Sequence, residues 1–414
     1  MAEMVEKKAA YRWQMLAYFC LINTFLNGFN IGVVPPLFPE ISAELSLTNT
    51  ETGITWGAWF LGMMLFSLLG GATADRLGVR KVVGVALIFS ALFCALRGFM
   101  PGFPGLAVSM FFLGVSLGFV VPNLTKGVGI WFGVEELGLA NGILIIAAGG
   151  GAVLGMMTSA SILSPLLGGW RAVMWFTGAL AAGFFILWII AAKERPAGEA
   201  TPAARQPGTL EGMKKVVGMR ELWLVCLMEF CVVGGWLAFQ GFFPTMLVQK
   251  GMPAARAGEL LGLTMILAGV FNAVGPRLSD RVGLRKPFIW PFLLAGGAAI
   301  PLAAFFTGGH LFALLIPVVV GIGTAVPLFR VVVLETEQVG PLYAGSAIGL
   351  LFTLNRLGAF ILPVVVGALV DKTGLFWPGF LLLGALSLVA AGLCLALTET
   401  GVRARGSVDK QRQQ

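Results

Sequence analysis

Apolar residues along this chain come in long unbroken runs, without the period of two that marks a half-buried strand. A run of ~20 apolar residues is what a helix needs to cross a bilayer core ~30 Å thick. Cutting the runs at charges and turn residues predicts twelve helices. They fall at 13–36, 53–73, 81–100, 105–132, 138–163, 170–192, 222–248, 258–278, 286–306, 310–334, 342–369 and 374–397. The links carry turn chemistry at Pro35-Pro36, Pro39, Pro101-Gly102, Gly168-Gly169 and Gly308-Gly309. One longer polar stretch, 193–220, holds Pro196, Pro202 and Pro207 near the middle of the chain and reads as a linker. The expected organisation is a first six-helix bundle over 1–192, the linker 193–220, a second bundle over 221–400 and a tail over 401–414.

Composition narrows the function classes. The 414 residues are 57% hydrophobic and only 12% charged, with a mean hydropathy of +0.90. A soluble chain carries roughly a quarter charged residues, so a soluble enzyme, a disordered chain and a nucleic-acid module are excluded as first readings. The net charge of +8 reflects topology. Lys and Arg cluster on one set of alternating loops, as in Lys7, Lys8 and Arg12, Arg76, Arg80 and Lys81, and Arg277, Arg281, Arg285 and Lys286. The opposite side holds only Arg97, Arg171, Lys250, Arg256 and Lys372. By the positive-inside rule both termini and the linker are cytoplasmic in a cell inner membrane. The first apolar stretch is too long for a signal-peptide core and lacks a small-residue cleavage site, so it is expected to remain as a span.

The five cysteines all lie in apolar runs without metal-ligand spacing and read as buried thiols. No Ser/His/Asp constellation, Walker loop or metal cluster is present, so neither an enzyme nor a cofactor is expected. Gly149-Gly150-Gly151-Ala152-Val153-Leu154-Gly155 has no strand before it and reads as close helix packing through Gly151 and Gly155. His310 falls in a predicted outer loop and is expected to be solvated.

The chain also contains itself twice. The segment from Gly70 to Lys81 aligns with Gly275 to Lys286, placing Asp75-Arg76-Leu77-Gly78 on Asp280-Arg281-Val282-Gly283. The same offset superposes Phe38-Pro39 on Phe243-Pro244, Gly53 on Gly258, Gly118 on Gly323 and Val121-Pro122 on Val326-Pro327. A single register held over separate segments implies two six-helix repeats, pseudo-symmetric about the membrane normal because both begin on the same side.

These residues carry a family resemblance. Twelve spans in two halves, with G-x-x-x-D-R-x-G-x-[RK]-[RK] between the second and third, resembles the major facilitator superfamily of secondary transporters. The loop pattern is intact at Gly71, Asp75, Arg76, Gly78, Arg80 and Lys81; the second copy keeps Asp280, Arg281 and Arg285 but has Pro276 in place of the first glycine. The fold expected is therefore an all-α polytopic membrane protein of twelve helices in two pseudo-symmetric bundles. The resemblance implies that the loops act as gates during the transport cycle, and that spans 1, 4, 7 and 10 line a central cavity.

Ionisable groups at bilayer depth cost roughly 2.5–3.5 kcal/mol on insertion scales, so each requires a reason. Lys126, Glu229, Arg330 and Arg356 lie within predicted spans. Asn23, Asn27 and Asn30 form a polar stripe on one helix face, Asn355 precedes Arg356, and Gln240 adds an amide to span 7. Three cations against one carboxylate favour an anion, and arginine's planar fork suits a carboxylate. The substrate site expected comprises Arg356, Arg330, Asn355, Asn27, Asn23, Asn30, Lys126 and Gln240, with Glu229 as the proton-coupling group.

The subfamily stays open. Drug exporters of the superfamily usually carry an arginine where Met110 stands, and nitrate carriers one where Ser67 stands. A basic residue in span 11 resembles the oxalate–formate and monocarboxylate branches, yet their span-8 arginine is Asn272 here. The function expected is secondary active transport of small organic anions, by symport or antiport and alternating access; efflux of hydrophobic compounds is the alternative. The partners expected are the anionic substrate, a coupling proton and the bilayer, with the chain working as a monomer and binding no nucleic acid.

Overall fold

The computed structural model describes residues 2–192 and 209–403. Most of the linker, at 193–208, and the end of the tail, at 404–414, lie outside the described residues. The helices are α1 (Ala2–Ile22), α2 (Asn30–Leu45), α3 (Asn49–Leu77), α4 (Val79–Leu96), α5 (Phe103–Trp131), α6 (Val134–Thr158), α7 (Ser164–Leu167) and α8 (Trp170–Ala191). They continue with α9 (Thr209–Val217), α10 (Arg220–Gln249), α11 (Ala254–Val282), α12 (Trp290–Leu302), α13 (Gly308–Glu335), α14 (Gly340–Thr373) and α15 (Trp377–Ala396). Among the described residues, eleven helices are long and apolar enough to cross a membrane.

The predicted span 286–306 differs from the rest. A 3-10 turn at Lys286–Phe288 leads into the 13-residue α12, bounded by Pro287, Pro291 and Pro301. Proline supplies no amide donor, which is tolerated in the first turn of a helix and costly deeper. A second correction concerns Pro35, Pro36 and Pro39, which lie inside α2 and not in a loop. Seven residues of π-helix, Asn23–Phe29, join α1 directly to α2. Local π adjustment is one way in which membrane helices absorb the donors and acceptors that prolines disturb.

The described residues form two compact units: 2–47, 54–192 and 247–262 in the first, and 48–53, 209–246 and 263–403 in the second. In the first unit the helix running from α1 to α2 meets α6 through small residues on both sides. A Cβ added at Gly28 or Gly32 would strike the carbonyls of Ala148 and Ala152, and one at Gly151 or Gly155 those of Thr24 and Phe29. The packing expected of Gly151 and Gly155 is thus present. Outward-facing Ile146 and Ile190 are each 75% exposed, which suits contact with lipid and not with water.

The repeat is visible inside each unit. Gly118 of α5 packs on the carbonyl of Met63 in α3, and its mate Gly323 of α13 packs on the carbonyl of Ala268 in α11. Gly78 and Gly283 turn the chain at φ +86° and +73° after α3 and α11. Only glycine adopts that region without strain, so both loop copies need it. In the second unit Asp371 accepts hydrogen bonds from the backbone amides and side chains of Asn49 and Thr50, which tethers residues 48–53 to α14.

Candidate functional site

The second unit brings Glu229 of α10, Arg330 of α13 and Asn355 of α14 together. The juxtaposition originates in glycine. A Cβ on Gly234 would lie 2.6 Å from the Gly358 carbonyl carbon, and one on Gly358 would lie 2.6 Å from the Phe230 carbonyl oxygen. This close approach of α10 to α14 sets Glu229 beside Asn355, whose Nδ2 donates to Glu229 Oε2 at 2.8 Å.

Glu229 has no exposed surface and its second oxygen, Oε1, has no hydrogen-bond partner. Val225, Cys226 and Met228, its neighbours along α10, belong to one buried apolar cluster. A carboxyl group with an idle oxygen in such a place has room for a proton. Arg330 acts electrostatically on Glu229 and stacks its guanidinium on Phe352, 5.2 Å from the ring centre. Its Nε is buried and unbonded. Arg330 lies five residues from the end of α13. Arg356 stands at the middle of the 34-residue α14 and is partly buried.

Other expected site residues are placed differently. Lys126 forms an ion pair with Asp75, its side chain 34% exposed and that of Asp75 68%. It belongs to the loop region and not to a mid-membrane anion site. Asn23 donates to the Leu144 carbonyl at 2.8 Å, fastening the π-helical segment to α6. Asn27 donates to Asn23 Oδ1 and remains partly buried. Asn30 donates to the Phe25 carbonyl and accepts from Arg97 Nη2 at 2.6 Å. Gln240 is buried and turned toward Met265 Sδ at 2.9 Å.

Arg97 was expected in an outer loop. It is 1% exposed, held by Asn30, by Thr177 Oγ1 at 3.1 Å and by its own turn through the Cys94 carbonyl. Its place at the end of an apolar run hid this role, although Asn30 and Thr177 on neighbouring spans gave a faint signal.

The two loop copies have diverged. In the first, Arg80 donates to the Ile189 carbonyl, while Asp75 goes to Lys126. In the second, Arg285 grips Glu335 with two bonds, at 2.6 and 3.1 Å, and also reaches Asp280 at 2.5 Å and Ser279 at 3.0 Å. The bonds to Glu335 chiefly hold the Arg285 guanidinium above its ordinary pKa. Glu399 caps the turn by accepting from the amides of Arg285 and Lys286. Neither Glu335 nor Glu399 was singled out by sequence, because each follows an apolar run with no pattern around it.

Apolar helices in two units that repeat one another, with a charged cluster among them, define a multi-pass membrane carrier. The chain belongs to the Major Facilitator Superfamily, whose family model matches residues 20–363. A probable sulfoacetate transporter of Cupriavidus necator is 25% identical to it, over 94% of both chains. A gallate transporter of Pseudomonas putida is 24% identical, over 97% of this chain and 95% of its own. A putative tartrate transporter of Agrobacterium vitis is 25% identical, over 94% and 90%. In fold, the chain matches a bacterial homolog of the human lysosomal transporter Spinster with a TM-score of 0.78 at 16% identity, covering 93% of this chain and 95% of that one.

Proposed function

We propose that this protein is a secondary active transporter of small organic anions, carboxylates foremost, working by alternating access. Residing in a cell inner membrane with both termini cytoplasmic is the reading supported by the one-sided placement of Lys and Arg. The observation that carries the substrate class is the cluster in the second unit, where Asn355 donates to a carboxyl group with one idle oxygen and the partly buried Arg330 acts on it electrostatically. Arg330, Arg356 and Asn355 supply the anion contacts, and Glu229 is the group that takes up the coupling proton. In the first unit, Asn27 keeps partial access. The curated relatives named above are described as carriers of sulfonated or carboxylated acids, which supports the same class. The protein works as a monomer and catalyses no reaction.

Purified protein in proteoliposomes tests this directly. Uptake of labelled aliphatic and aromatic carboxylates is expected, with Arg330→Ala and Arg356→Ala each raising the half-saturating concentration about 10–100-fold, the equivalent of a charge-assisted hydrogen bond of ~1.5–3 kcal/mol. Glu229→Gln is expected to abolish proton flux while anion binding persists. Thermal stabilisation by lipophilic cations but by no carboxylate would overturn the reading.

A further inference from the structure

On the outer surface of the first unit, two apolar grooves run side by side. One, of about 380 Å³, lies along α3, α4 and α5 and is walled by Leu77, Phe89, Phe93, Phe112 and Phe119. The other, of about 420 Å³, lies between α4 and α8 and is walled by Ile88, Phe185, Trp188 and Ile189. Both volumes are within the ~300–1,000 Å³ of small-molecule sites. The grooves share two residues, Lys81 and Val85, so that Val85 forms the ridge between them and Lys81 stands at the mouth of both. Arg80 joins Lys81 at the mouth of the second groove.

Lys81, Val85 and Phe89 are exposed, and Ser116 at the floor of the first groove is bonded to Ser90, leaving no open polar group there. Arg80 keeps its place through Nη2, bonded to the Ile189 carbonyl at 3.1 Å. Asp75, the nearest carboxylate of the loop, is engaged with Lys126. The mouth is therefore cationic and the channels beneath it are apolar.

From the forked shape and the charge at its head, we infer a binding site for one anionic diacyl phospholipid of the cytoplasmic leaflet. One acyl chain lies in each groove, straddling Val85, and the phosphate sits between Arg80 and Lys81. A single-chain amphiphile would fill only one groove, and a zwitterionic lipid would bring a cationic headgroup to a cationic mouth. Each Lys or Arg near an anionic lipid surface is worth roughly a fivefold gain in binding.

Delipidated full-length protein is incubated with equal amounts of palmitoyl-oleoyl phosphatidylglycerol and phosphatidylcholine, and retained lipids are counted by native mass spectrometry. Phosphatidylglycerol adducts are expected to exceed phosphatidylcholine adducts at least about fivefold. The double variant Arg80→Gln with Lys81→Gln is expected to bring that ratio to unity. Val85→Trp, which crowds both grooves and leaves the charges intact, is expected to cut phosphatidylglycerol retention as well. Equal retention of both lipids by the unaltered protein would overturn the inference, as would undiminished preference in the double variant or undiminished phosphatidylglycerol retention in Val85→Trp. Dimers that Val85→Trp dissociates would assign the face to a second copy of this chain and overturn it equally.

Discussion

Arg285 offers the clearest energetic test, because its partners differ sharply in exposure. The side chain is 6% exposed; Glu335 is 21% exposed and Asp280 62%. A charge-assisted hydrogen bond is worth ~1.5–3 kcal/mol net, and the Glu335 fork supplies two that share one desolvation cost. An exposed ion pair contributes ~1 kcal/mol or less. Arg285→Met should therefore destabilise the second unit by about 3 kcal/mol, at the lower end of the ~3–5 kcal/mol expected for breaking a buried pair. Double-mutant cycles apportion the loss. Arg285→Met with Glu335→Gln should show about 2 kcal/mol of coupling, and Arg285→Met with Asp280→Asn less than about 1 kcal/mol. The measurement is unfolding by SDS titration in mixed micelles, followed by tryptophan fluorescence. Coupling to Asp280 equal to or above that to Glu335 would refute the reasoning and return Asp280 to the leading place that the loop pattern suggested.

Gly358→Ala introduces a Cβ 2.6 Å from the Phe230 carbonyl oxygen, an overpacking that costs ~1–3 kcal/mol. It should separate α10 from α14 and impair anion binding through Asn355 and proton coupling through Glu229; a variant that retains full transport and stability would show that the close approach is dispensable. Arg97→Met leaves Asn30 Oδ1 with only the weak Cys94 thiol as donor and the Thr177 hydroxyl oxygen with none from the guanidinium, at ~1–3 kcal/mol. Adding Asn30→Ala should then cost less than it does in the unaltered protein, since only its bond to the Phe25 carbonyl and the weak one from Cys94 remain to be lost, and strict additivity in thermal unfolding would contradict the shared network.

The bundle and its duplication were legible in the sequence because both rest on features that survive without side-chain detail. Runs of about twenty apolar residues have few other solutions, and a turn at positive φ demands glycine at Gly78 and Gly283 alike. Glu229, Arg330 and Asn355 stood out in the sequence for a related reason: polar and charged groups at bilayer depth are costly and call for partners. Lys126 was misplaced because depth was counted along a helix while a long flexible stem can reach Asp75 at its end. Within the asparagine stripe Asn27 bonds to Asn23, while backbone carbonyls absorbed Asn23 and Asn30. Seven residues of π-helix, invisible to periodicity, expose carbonyls that Asn30 and its neighbours satisfy. The interior prolines of α2 looked like a loop because their usual cost presumes an isolated helix in water.

The interdigitation of Gly28 and Gly32 with Gly151 and Gly155 has an experimental corollary. Helices whose main chains touch have no slack to slide, so probes attached to the two should keep a constant separation through turnover. Such a pair makes an internal ruler: any spectroscopic distance that changes during the cycle can be referred to it, and a change within the pair itself signals damage to the protein.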